Sequence, residues 1–237
     1  LGQTEVRTRF KATKDMESFD VGADVELNGS VKGKSVQVRS VADNRLDHSM
    51  GFNLSTAKDM LGGLVPSGMT DLEGETVDST TASKLTMGAN ARIEAVEDAA
   101  VESYADTDIN ISEGSTWKSF IQFPGDSYIP IVNVVKLKAD SKATTSTAGE
   151  IIAGTSVAVH SGNRLRADVT AQSATSNTSQ PQGAAVIAKL SGGATTAHNA
   201  TIQGTDSEMS LTDVSITSRQ DSDVVTKADV GVPKQGR

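Results

Sequence analysis

Four times along the chain, an apolar pair alternates at i and i+2, three residues after an opening position, and a polar stretch follows. Gly33-Lys34-Ser35-Val36-Gln37-Val38-Arg39-Ser40 leads to Leu46-Asp47-His48, and Gly88-Ala89-Asn90-Ala91-Arg92-Ile93-Glu94-Ala95 reaches Val101 to Asp106. Gly154-Thr155-Ser156-Val157-Ala158-Val159-His160-Ser161 runs on through Leu165 to Val169. Leu211-Thr212-Asp213-Val214-Ser215-Ile216-Thr217-Ser218 reaches Val224 to Asp229, with Leu211 where the others have glycine. A two-residue period is what a strand with one buried face requires. Its return at long intervals predicts a solenoid, in which each unit buries its apolar face on the next.

The openings at 33, 88, 154 and 211 are 55, 66 and 57 residues apart, so the units differ in length. A second similarity lies between them. Val135-Lys136-Leu137 leads to Ala143-Thr144-Thr145 as Ala188-Lys189-Leu190 leads to Ala194-Thr195-Thr196. A period this long exceeds one coil of about 20–30 residues, which predicts two or three coils in each repeat. The expected fold is all-β, a right-handed parallel β-helix spanning 1–237 as one fragment of a longer chain, with insertions at about 50–82 and 112–133. Within the first insertion Ala57, Met60, Leu61 and Leu64 predict a short helix over 55–64. The alternative is a β-sandwich, whose strands come every 8–12 residues and join by hairpins. Asn28-Gly29 is the clearest such turn.

Composition narrows the function. Aromatic residues are only 3% of the chain, which suits thin stacked strands of Ala, Val, Thr and Ser. A net charge of −8 argues against a nucleic-acid partner, because that binding depends on clustered Lys and Arg. Without cysteine there is no disulfide framework, thiolate metal site or Cys nucleophile. No apolar run reaches eighteen residues, so membrane insertion by this segment is not expected. The start at Leu1, with no Met and no leader pattern, reads as a processed or excised fragment.

No residue pattern argues for an enzyme or a cofactor. His48, His160 and His198 stand far apart and form no ligand motif. Glu94, Glu97, Asp98, Glu102, Asp106 and Asp108 are the densest carboxylates, and stacking could gather some into a cleft or a calcium (Ca2+) bridge. The nonapeptide of calcium-loaded β-rolls and the EF-hand spacing are both absent. So are a Gly-x-Ser-x-Gly elbow and a phosphate-cradling glycine loop. Trp117, Phe120, Phe123 and Tyr128 are four of the eight aromatics (one Trp, two Tyr, five Phe). Grouped in one insertion, they are candidates to stack on a sugar or anchor a partner. The favoured alternative is that they cover the solenoid's side or pack on the apolar segment carrying Met50, Phe52, Met60 and Met69.

Ile152-Ala153-Gly154-Thr155-Ser156-Val157-Ala158-Val159, the Ser/Thr/Asn-rich stretch from Ser173 to Gln182, Gly183-Ala184-Ala185-Val186-Ile187-Ala188 and the ending Val225-Thr226-Lys227-Ala228-Asp229 together resemble a known repeat. It is that of the large filamentous, leukotoxin-type surface adhesins of diderm bacteria, and the resemblance covers about 20–230. It implies an exported β-helix stalk at the bacterial cell surface, contributing length and contact area and performing no chemistry. The expected partners are a protein or glycan of a host or neighbouring cell, with self-association as a further expectation. The competing expectations are a carbohydrate-active β-helix (a polysaccharide lyase or tailspike-like depolymerase) and a self-assembling surface-layer or filament subunit.

Overall fold

The structure, a computed structural model, describes residues 2–13, 18–51, 71–117, 131–175, 182–205 and 213–231. The chain winds through β1 (Gly2–Thr13), β2 (Ser18–Leu27) and β3 (Ser30–Gly33), then β4 (Val36–Gly51), β5 (Asp71–Met87) and β6 (Arg92–Ala95). It continues through β7 (Asp98–Trp117), β8 (Ile131–Thr147) and β9 (Glu150–Ala153), then β10 (Ser156–Thr175), β11 (Gln182–His198) and β12 (Thr201–Gly204), ending in β13 (Asp213–Gly231). Every third strand stacks on the last. The first face is the order β1-β4-β7-β10-β13, the second β2-β5-β8-β11 and the third, short face β3-β6-β9-β12. All pairings are parallel, which makes the fold a parallel β-helix.

Each long repeat is a single coil of three strands, not the two or three coils its length predicts. Val38, Val101, Val159 and Ile216 stack in one row. The sequence steps in that register are 63, 58 and 57 residues. The units read from Gly154 and Leu211 are therefore in true register. The unit read from Gly88 is displaced by eight residues, because Ile93 belongs to the third face and stacks between Val31 and Ile151. On the second face Ala143-Thr144-Thr145 does stack on Ala194-Thr195-Thr196, while Val135 to Leu137 stacks on Val186 to Ala188, two residues before the similarity read from sequence.

Corners repeat like strands. Backbone N–H groups of Gly88, Ala148 and Asn199 donate to the carbonyls of Leu27, Met87 and Thr147, each one coil earlier, at 2.7–2.9 Å. Between the third and first faces, Val96, Glu97 and Thr155 donate to Gly33, Lys34 and Glu97. Gly149 turns one corner at φ +81°, where a Cβ would lie 2.3 Å from the Ala91 carbonyl, so only glycine fits without strain.

Regular strand also reaches into both expected insertions. β5 begins at Asp71 with Val77, Ser79 and Thr81 buried, β7 runs on to Trp117, and β8 starts at Ile131. The helix expected over 55–64 lies outside the described residues, and among those described there is none.

The interior is divided along its width. Near the third face, Val38, Leu85, Met87, Ile93, Val101 and Ile151 form one apolar cluster. At the far side, Leu46, Ile109, Val135, Leu137, Leu165 and Val169 form another. Between them runs a stripe of small polar side chains. Ser40, Ser103 and Ser161 stack from coil to coil, and Asn44, Thr81, Thr107, Ser141 and Asn163 link coils across the two long faces. Asn44 donates to Thr81 at 3.1 Å, the Thr107 hydroxyl sits 2.8 Å from Thr81 and 2.9 Å from Ser141, and Ser141 donates to Asn163 at 2.6 Å. A buried hydroxyl left unpaired costs about 1–3 kcal/mol, so this linkage offsets the cost of placing hydroxyls there, while Asn44 Oδ1 and Asn163 Nδ2 are buried without a partner. At the last coil the burial ends, and Val214, Ile216 and Val224 are each nearly half exposed.

Candidate functional site

In a strand the residues between the buried ones point outward, and parallel pairing aligns them in rows across coils. Four such rows lie side by side on the outward surface of the first face. Arg39, Glu102, His160 and Thr217 form one, and Val41, Tyr104, Gly162 and Arg219 the next. Asp43, Asp106, Arg164 and Asp221 follow, then Arg45, Asp108, Arg166 and Asp223. The middle rows border a groove of about 640 Å³ whose lining includes Tyr104, His160, Arg45, Arg164 and Arg219.

Glu102 organises its upper edge. Its carboxylate accepts from Arg39 at 2.7 Å, from Gln37 at 3.0 Å and from the Tyr104 hydroxyl at 3.2 Å. The Arg39 guanidinium carbon lies 5.1 Å from the centre of the Tyr104 ring, within cation–π range. His160 lies 5.2 Å from the same ring, tilted by 46°, and its Nδ1 is 2.7 Å from the Thr217 hydroxyl. Burial, reinforced by the charge and hydrogen bond of Glu102, holds the Tyr104 phenol above its ordinary pKa, with Arg39 opposing.

Gly162 makes room for that ring. A Cβ there would come within 2.7 Å of Tyr104 Cδ1 and 3.1 Å of His160 Nε2. An aromatic ring covering a strand glycine also shields its bare backbone. Below, Arg164 forms a two-pronged pair with Asp106, and Arg45 pairs with Asp43 at 3.1 Å. These contacts raise both guanidinium pKa values, the hydrogen bond to the partnered carboxylate being the largest cause in each.

The residues singled out in the sequence divide between faces. Trp117 is the last residue of β7, its backbone paired with Thr175, while Phe120, Phe123 and Tyr128 lie outside the described residues. Glu94, on the third face, pairs with Lys32 and Arg92, and Glu97, at the next corner, pairs with Lys34. Asp98 accepts from Ser156 at 2.7 Å. Asp98 opens β7 at the margin of the first face, and Glu102, Asp106 and Asp108 stand in the rows described above. The three histidines stay apart, with His198 bonded to Thr147 and His48 paired through its backbone with Ile111. Among the described residues no three His, Asp or Glu side chains are placed to hold a metal ion.

No family model, curated protein or solved structure matches this chain. The groove is therefore read from its chemistry. Of its lining carboxylates, Asp43 and Asp106 are each engaged by an arginine, as is Glu102 at its edge, an arrangement suited to holding coils in register and to offering donors and acceptors side by side. Sequence reasoning missed it because Tyr104 and His160 meet only through the 58-residue register. The available signal was Gly162, a bare position in a row otherwise carrying side chains.

Proposed function

We propose that the chain is a structural and adhesive module of a secreted or cell-surface filamentous protein, whose coils extend a rod and whose first face offers contact area. The observation that carries this reading is the uninterrupted ladder. Strands of 16–20 residues pair in register from β4 to β10, and the corners flanking the third face bond as well. Stacked coils of this kind are stiff because each contacts only its neighbours through continuous backbone pairing. Glu102 and Asp106, each paired with an arginine, fit a contact surface better than a pair poised to exchange protons.

A second reading, a carbohydrate-active β-helix, draws support from the presence of Asp43, Asp106 and Asp108 beside Arg45 and Tyr104 on one face. One experiment separates the two. The purified chain is offered immobilised glycans and matrix proteins, and soluble polysaccharides are assayed in parallel for new reducing ends or unsaturated products. Binding without cleavage is the expected result. Depolymerisation would replace the adhesive reading with the enzymatic one.

A further inference from the structure

We propose that the groove around Tyr104 is a binding site for an uncharged saccharide, an inference that rests on the adhesive reading and gives it a location. Four observations converge. The ring of Tyr104 sits at the edge of the groove, held by Glu102 and accommodated by Gly162, so it is placed before any ligand arrives. A preset ring lining the groove offers sugar C–H groups apolar contact at little ordering cost. Second, the groove's volume of about 640 Å³ gives room for a short saccharide lying along the surface.

Third, the charges balance. Arg45, Arg164 and Arg219 line the groove together with Asp43, Asp106 and Asp221. A phosphate or uronate would meet three carboxylates along with the guanidiniums, which works against an anion. A sugar hydroxyl both donates and accepts, so neighbouring hydroxyls can match an Arg–Asp pair that presents donors beside acceptors. Fourth, Arg219 and Asp221 on β13 are exposed, and among the described residues Arg219 makes no ion pair, leaving its donors for a ligand.

The test is isothermal titration calorimetry of the whole chain with maltotriose, cellotriose and mannotriose, and with trigalacturonate as the charged comparison. The variants are Tyr104→Ala, Tyr104→Phe and Arg219→Gln. At least one neutral trisaccharide is expected to bind, with affinity about tenfold weaker for Tyr104→Ala and severalfold weaker for Arg219→Gln. Tyr104→Phe, which keeps the ring, is expected to retain most of it. Arg219→Gln removes an exposed side chain with no ion pair among the described residues and should unfold at the wild-type temperature, so its result stands even if Tyr104→Ala fails to fold. Tighter binding of trigalacturonate would overturn the ligand class. Equal binding by wild type and Arg219→Gln would overturn the site. Capture of matrix proteins with no saccharide binding would overturn the inference and leave the adhesive reading standing, whereas a chain that binds neither would end both.

Discussion

The apolar cluster beside the third face and the hydroxyl stripe in the middle of the interior are equally buried, yet their chemistry is opposite. Ile93, Leu85 and Ile151 are fully buried among other aliphatics, while Ser103, Thr107 and Ser141 are fully buried among hydroxyls and amides. Burying an aliphatic side chain is favourable wherever it lands, at about 1.5–3 kcal/mol each. A buried hydroxyl without a partner costs about 1–3 kcal/mol, so it is favourable only where a partner stands in the right place. The cluster therefore supplies stability with little directionality, and the stripe penalises any slip in register. Small polar side chains also occupy little width, which is how two long faces enclose a core with so few aromatic residues.

The largest expected effect is on the apolar side. Ile93→Ala or Ile151→Ala should each lower unfolding free energy by about 2–5 kcal/mol, measured by denaturant titration. Thr107→Val keeps the volume but removes the hydroxyl joining Thr81 to Ser141, and should lower it by about 1–3 kcal/mol. If Thr107→Val proved as costly as Ile93→Ala, the stripe would be a main source of stability and the contrast would fail.

On the outer face, Arg39→Ala breaks a partly exposed pair with Glu102 and should cost about 0.2–1 kcal/mol. Smaller still is the effect of the Tyr104 phenol, which burial and Glu102 hold above its ordinary value of 10. A group with a raised folded pKa keeps its proton better in the folded state. Its contribution is present below pH 10 and is lost as pH rises through the folded value. Phenolate absorbance should therefore show one late-titrating tyrosine that Tyr104→Phe removes. A Tyr104 that titrates at or below 10 would mean that the ring is not held as described.

The same division explains what could be read in the sequence. Alternation is plain where inward residues are apolar, as at Val157 and Val159 against Val214 and Ile216, and there the 57-residue register is correct. It fades through Ser40-Ala42-Asn44 and Ser79-Thr81-Ser83, where inward and outward residues are both polar, so strands of 16–17 residues look like short ones in long loops. The misplaced unit at Gly88 has a similar origin. Ile93 on β6 and Val101 on β7 both feed one apolar cluster and are eight residues apart, so either can be matched to Val38. The groove was less legible still, because its members share no local pattern and depend on a register that the middle unit concealed.

The most direct test of the single-coil repeat uses the absence of native cysteine. Asp47 and Asn110 are exposed partners on adjacent strands, 63 residues apart, whereas the register read from Gly33 and Gly88 would pair Asp47 with Glu102. Neighbouring strands place paired residues within the distance a disulfide spans. Mild oxidation of Asp47→Cys/Asn110→Cys and of Asp47→Cys/Glu102→Cys, followed by intact mass and peptide mapping, decides between them. The account predicts an intramolecular disulfide in the first variant and free thiols in the second. The reverse pattern would contradict it.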